Sequence, residues 1–233
     1  MSTDRKIAWF GIGLALLGLI PIFRDANMQL RVAYCAAFLF LVAFFLYAAY
    51  RTSGPQISAN LIKKKLTIDD QGGKLAHVEQ KRTIRVNYGS IQDTWLPEIT
   101  TDGRPDNFTV DGVAVTECDQ IPRDSYVSLR KRLPEAIFSN HEITEVWNYD
   151  LHDSFPDKHE AFDHVVTRKN KDVELTVILP ANRPCIRAYV HLLVGDDPVG
   201  QLDDPEVSTD KRTIEARFKS PKSGHTLRLS WDW

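Results

Sequence analysis

Cysteine is scarce in this chain of 233 residues: there are three, Cys35, Cys118 and Cys185. Three isolated thiols do not make the disulfide framework of a small secreted domain, although a single Cys118–Cys185 bridge stays open. A basic excess is also missing. Residues 1–58 hold five basic and two acidic residues of the chain's 29 and 31, which leaves 24 and 29 beyond them, a net charge of −5. That balance argues against general nucleic-acid binding, which needs a positive face. No P-loop, Rossmann fingerprint or serine nucleophile elbow occurs, so no enzyme class is supported and no cofactor is expected. Internal repeats and low-complexity tracts are absent as well.

What is present divides in two. Residues 1–50 contain two uncharged apolar runs, Ile7 to Phe23 and Val32 to Tyr50, of 17 and 19 residues. A helix needs roughly 17–25 such residues to cross a hydrocarbon core about 30 Å thick. The expectation is a transmembrane hairpin of two helical spans, with "RDANMQLR" as the turn. A cleaved signal peptide is disfavoured, because no small-residue cleavage motif follows Phe23. Arg5, Lys6, Arg51 and Lys63–Lys65 flank the outer ends, against Arg24 and Arg31 in the turn. The positive-inside rule then places both termini in the cytoplasm of an inner-membrane protein. Gly11 and Ala15, and likewise Ala33 and Ala37, have the small-xxx-small spacing that lets spans pack closely, so a homo-oligomer is expected.

Residues 51–58 read as a linker, with Gly54 and Pro55 as breakers. Beyond them, residues 59–233 read as an all-β antiparallel sandwich or barrel. "LIKKKLTIDD" and "KLAHVEQKRTIRVNY" around "QGG" form a hairpin signal. "ITEVWNYDL" places Ile143, Glu145, Trp147, Tyr149 and Leu151 on one face. "HEAFDHVVTR", "DVELTVILP", "CIRAYVHLLV", "KRTIEARFK" and "HTLRLSWDW" follow as short runs between turn residues. In the last, Leu227, Leu229, Trp231 and Trp233 share a face, as in a half-buried strand. "DSYVSLRKRLPEAIF" is expected to be a short helix broken at Pro134.

Several clusters are candidates for chemistry. "HDSFPDKHEAFDH" (152–164) departs from the HExxH zinc signature at its last position. On a strand, His159 and Asp163 would lie about 13 Å apart, too far for one ion, so no metal is expected. The acidic stretch with Asp196, Asp197, Asp203, Asp204, Glu206 and Asp210 lacks calcium-loop spacing and reads as a solvated mobile loop. Lys63–Lys65 read as topology-setting or lipid-touching residues. Lys81, Arg82 and Arg85, with Arg130 and Arg132, suit phosphate binding, because guanidinium groups bind phosphate oxygens in pairs. Trp147, Trp95 or Tyr126 could stack on a base.

Two spans, a short spacer and a β-rich domain resemble the two-transmembrane β-rich effectors of bacterial CBASS anti-phage systems, encoded beside cGAS-like nucleotidyltransferases. The resemblance rests on order and composition. It implies a β-domain that binds a cyclic di- or oligonucleotide, and spans that disrupt the inner membrane. The binding residues expected here are Lys81, Arg82, Arg85, Arg130, Arg132 and Trp147. The alternative is a membrane-tethered β-sandwich module that recognises a protein partner. A hydrolase built on the His/Asp cluster is the third reading.

Overall fold

A computed structural model describes residues 56–100, 103–115, 126–167, 170–195 and 197–233, together with twelve helical positions between Met28 and Tyr47. The chain divides into two units, Met1–Gly54 and Pro55–Trp233.

The first unit corrects the expected hairpin. Among the described residues no helix is long and apolar enough to cross a membrane. Helix is described only at Met28, Gln29, Val32, Ala36, Phe38 to Phe44 and Tyr47. The fold class is therefore all-β and not a two-span helical hairpin with a β-domain, and the transmembrane, inner-membrane placement goes with the hairpin. A count of uncharged residues measures apolar length alone and does not by itself establish a helix of that length. Gly11, Ala15, Ala33 and Ala37, the expected packing residues, lie outside the described residues.

The second unit is built from strands, in chain order β1 (Gln56–Ile68), β2 (Leu75–Tyr88), β3 (Ser90–Thr100), β4 (Arg104–Val110), β5 (Val113–Ala114), β6 (Tyr126–Phe138) and β7 (Glu142–His152). There follow β8 (His159–Val165), β9 (Asn170–Ile178), β10 (Arg187–Val194), β11 (Asp197–Gln201), β12 (Glu206–Val207), β13 (Thr213–Lys219) and β14 (Thr226–Asp232). An eight-stranded sheet has the order β12-β13-β9-β1-β2-β7-β4-β5; a four-stranded sheet has the order β11-β10-β14-β8; β3 and β6 form a ribbon. Apolar residues of all three sheets join in one core.

The β1–β2 hairpin stands where the sequence places it. Its turn is organised by Asp70, whose carboxylate accepts the Leu75 N–H at 2.9 Å and the Gly72 N–H at 3.2 Å. Gly73 sits at φ +68°, and a Cβ there would collide with the Phe155 carbonyl oxygen. Glycine is needed here for the turn and for that close approach. The Phe155 N–H donates back to the Gly73 carbonyl at 3.0 Å.

Two expectations change. The sheet is mixed, because β1 pairs antiparallel with β2 but parallel with β9, from Ala59↔Asn170 to Thr67↔Ile178. The stretch read as a helix is instead β6, paired antiparallel with β3. Its proline does not break the strand because the register slips there: Arg132 faces Asp93 and Ile137 faces Ile91, so Pro134 falls within the irregularity. A bulge removes the ladder bond that proline cannot make.

The core face of the large sheet follows the period of two. Ile62, Leu66 and Ile68 of β1, Val78 and Ile84 of β2, and Trp147, Tyr149 and Leu151 of β7 are buried. Leu227, Leu229, Trp231 and Trp233 are buried as read. The same face also takes polar residues: Lys64, Gln80, Arg82 and Glu145 are all less than a tenth exposed.

Candidate functional site

Of the six expected ligand-binding residues, the structure brings together two. Arg82 and Trp147 lie on the core face, with the guanidinium carbon 5.2 Å from the indole centroid. The guanidinium is committed. Its Nε and Nη2 donate to Glu145 Oε2 at 3.2 and 2.9 Å, and Nη1 donates to the Trp95 carbonyl. Glu145 also accepts from Thr94 Oγ1 at 2.7 Å and from Trp147 Nε1 at 3.4 Å. Lys131 Nζ stands 3.6 Å from its other side. This network joins β2, β7, β3 and β6 and ties the Arg82 guanidinium to Glu145 and to the Trp95 carbonyl.

The other four do not converge with it. Lys81 and Arg85 alternate with Arg82 and are exposed on the opposite face of β2. Arg130 is exposed on β6, 2.6 Å from Asp93 and 5.4 Å from the Trp95 ring centroid. Its hydrogen bond holds the Asp93 carboxyl below the usual range. Arg132 is exposed two residues further on. Period-two alternation separates residues that adjacency in sequence had grouped.

The His/Asp segment is also dispersed. His159 pairs with Asp232 at 2.8 Å, whereas Asp163 takes Arg228 at 2.9 and 2.7 Å. His164 turns inward and is buried. Among the described residues no group of three or more His, Cys, Asp or Glu could hold a metal ion. Cys185 is a free, buried thiol, and burial pushes its pKa up; Cys118 lies outside the described residues. Part of the acidic stretch is a built turn: Asp210 Oδ1 accepts from Ser208 Oγ at 2.5 Å and from the Arg212 N–H at 3.1 Å.

A groove of about 490 Å³ opens between the two large sheets. Its floor is apolar, from Val190 and Leu192 of β10, Ala216 and Phe218 of β13, and Leu227 of β14. One bank carries Asp203, Asp204 and Glu206; the other carries Arg217, Lys219 and Lys222. His225 also lines it, with an enclosed Nδ1 that has no hydrogen-bond partner. Exposed Leu202 stands on the acidic bank.

The basic bank is a sheet edge, and hydrogen bonds at its ends give its phase. The Leu179 N–H donates to the Arg212 carbonyl at 2.7 Å, and the Ser220 N–H to the Lys171 carbonyl at 2.6 Å. Even-numbered residues of β13 therefore turn their main-chain groups towards β9. The Ser208 N–H donates to the Thr213 carbonyl at 2.9 Å, so odd-numbered residues turn outwards. β12 covers that outer side only at Ile214 and Glu215. Pro205 precedes β12 and has no N–H to continue the ladder. Among the described residues no strand lies beyond Arg217 and Lys219, whose main-chain groups face the groove's edge. Sequence reasoning missed this site, because the acidic stretch was read for its charges and not for the edge it leaves open.

No protein-family model matches the chain, and no curated protein matches it. Solved structures similar to it include the M1 zinc metallopeptidase of Deinococcus radiodurans, in a variant form, at 10% identity and TM-score 0.43, over 75% of this chain and 42% of that one. A protein of Legionella pneumophila, described provisionally as a nutrient binding protein, is similar at 12% identity and TM-score 0.48, over 76% of this chain and 68% of that one. The chain thus spans less than half the length of the metallopeptidase.

Proposed function

We propose that the β-sandwich is a non-enzymatic binding module that takes an extended segment of a protein partner as an added strand on the outer edge of β13. The observation that carries this reading is the outward phase of Arg217 and Lys219 beside a groove with an apolar floor. Strand addition draws affinity from main-chain hydrogen bonds and specificity from alternate side chains. Residues of the added strand on the core side would enter the groove against Phe218 and Leu192, which favours apolar side chains. Residues on the other side would lie opposite Arg217 and Lys219, which favours acidic ones. The ligand class is therefore an extended peptide that alternates apolar and acidic residues.

The cyclic-nucleotide sensor implied by the family resemblance is the second reading. It has less support, because Arg82 is committed to Glu145 and the remaining basic residues point to different faces.

The test uses the full chain and a fluorescent octapeptide that alternates valine and glutamate, read by anisotropy. Saturable binding is expected. N-methylation of the residues that face the edge should weaken it roughly three- to tenfold per lost bond, and methylation of the intervening residues should not. Arg217→Pro removes an outward N–H and leaves the β9 ladder intact; it should weaken binding while the melting temperature stays near that of the parent. Absence of saturable binding, or binding indifferent to both changes, refutes the reading. A cyclic dinucleotide that stabilises the chain instead would favour the sensor.

A further inference from the structure

A second site lies inside the sandwich, away from the β13 edge. It begins with an imbalance of buried charge. The buried ionic side chains among the described residues are Lys64, Arg82 and Glu145: two cations and one anion. Arg82 has Glu145. Lys64 forms no salt bridge with a described residue. Asp163, whose charge favours the ammonium, gives both carboxylate oxygens to Arg228 and accepts from Lys64 Nζ at its main-chain carbonyl, at 2.7 Å. The Phe162 ring takes another face of the ammonium, with its centroid 4.3 Å away. An ammonium has three N–H donors, so at least one remains. Buried charges in folded proteins are paired, and an unpaired one is costly.

The second observation is independent. His164 is 8% exposed, and its Nε2 is enclosed without a hydrogen-bond partner. Lys64 and His164 line the same interior cavity of about 50 Å³, together with Gln80 and Ile62. Burial and the neighbouring lysine push the His164 pKa down to about 3, so the ring is neutral and carries one N–H. Burial pushes Lys64 down to about 8, which leaves it mostly charged at neutral pH. Two buried polar groups with unused capacity thus face one small space with a net positive charge.

We propose that Lys64 and His164 form an interior site for one small oxyanion of carboxylate size. Lys64 supplies the counter-charge and one donor; His164 supplies the second donor through Nε2–H. The cavity sets the size. A water needs roughly 10–15 Å³ of such space, so about 50 Å³ holds three or four heavy atoms. Formate, nitrate and bicarbonate fit, and a nucleotide does not. Lys64 and Tyr149 also line a neighbouring groove of about 320 Å³ beside β8.

The test is thermal unfolding of the full chain in sodium formate, with sodium benzenesulfonate, too large for the cavity, at matched ionic strength. Formate should raise Tm saturably, by about 5–10 °C at a hundredfold excess over Kd; benzenesulfonate should not. Lys64→Met should abolish the response while raising Tm in formate-free buffer. The unaltered chain gives a readout that does not depend on a variant folding: formate should move the 15N resonance of the His164 ring, assigned by its loss in His164→Gln. No saturable response to formate, nitrate or bicarbonate overturns the proposal. So does a response that survives Lys64→Met, or a His164 ring that formate leaves unmoved.

Discussion

Replacing Glu145 with leucine would expose how the interior tolerates its charge. Glu145 is 2% exposed and its carboxylate accepts from Arg82 at 2.9 and 3.2 Å, from Thr94 at 2.7 Å and from Trp147 at 3.4 Å. Glu145→Leu takes from the buried Arg82 guanidinium the carboxylate that accepts two of its hydrogen bonds, and leaves the buried ionic side chains among the described residues both cationic. Breaking one side of a buried pair costs about 3–5 kcal/mol, and this case should fall at the upper end. Arg82→Met leaves a carboxylate that still has Thr94, Trp147 and the Lys131 ammonium 3.6 Å away, so its cost should be lower, about 2–3 kcal/mol. The double variant removes both charges and should cost less than Glu145→Leu alone. Urea unfolding read by tryptophan fluorescence gives each free energy, provided the slope m stays constant across the set. Additive single costs, or a Glu145→Leu cost below about 1 kcal/mol, would show that the network is not the unit described. Adding Lys64→Met to Glu145→Leu should recover part of the loss, because it removes a like charge from the same interior.

Three further outcomes follow. In a buffer without small oxyanions, Lys64→Met should exceed the parent in stability by about 3 kcal/mol at neutral pH. The unfolded chain holds the Lys64 proton up to its ordinary pKa of 10.5, whereas the folded chain releases it from about 8; parental stability therefore rises with pH across that window, and a difference unchanged between pH 7 and pH 10.5 would refute the assignment. On the acid side the folded His164 resists protonation down to about 3 while the unfolded ring protonates at 6.5, so parental stability should fall as pH drops between those values, and His164→Gln should flatten that part of the profile. Gly73→Ala should destabilise by more than about 2 kcal/mol, since the new Cβ meets the Phe155 carbonyl; Gly112→Ala, also at positive φ but with open space around it, should cost about 1 kcal/mol by the same urea titration.

Much of the β-unit was legible because period-two alternation is strong where one face is buried. Hence β7 and β14 present the faces read for them, and the β1–β2 turn sits at Gly72–Gly73. Pairings between distant segments were not legible. β1 meets β9 in parallel across more than 100 residues, and nothing local announces that partner. β6 was lost for a related reason: Pro134 reads as a breaker until the register slip that accommodates it is known.

Lys64 shows where a sound rule gave way to a sound prior. Alternation through "LIKKKLTI" puts Ile62, Lys64, Leu66 and Ile68 on one face, with Lys63 and Lys65 on the other. The burial pattern of β1 follows that phase: Lys63 and Lys65 are exposed and Lys64 is buried. Three adjacent lysines were instead read as one chemical group, because lysine rarely enters a core without a partner. A strand cannot honour both. Its pleat fixes which side each residue faces, and a one-residue slip would send Ile62, Leu66 and Ile68 to solvent. Removing three large aliphatic side chains from the core would cost several kcal/mol, more than one poorly paired ammonium. The phase wins, and the lysine is carried inside. The same reasoning accounts for Arg82 between Gln80 and Ile84, where a carboxylate on the next strand balances the charge. Lys64 has no carboxylate in salt-bridge contact among the described residues, since the Asp163 carboxylate is bonded to Arg228, and that difference leaves the interior oxyanion site to Lys64 and His164.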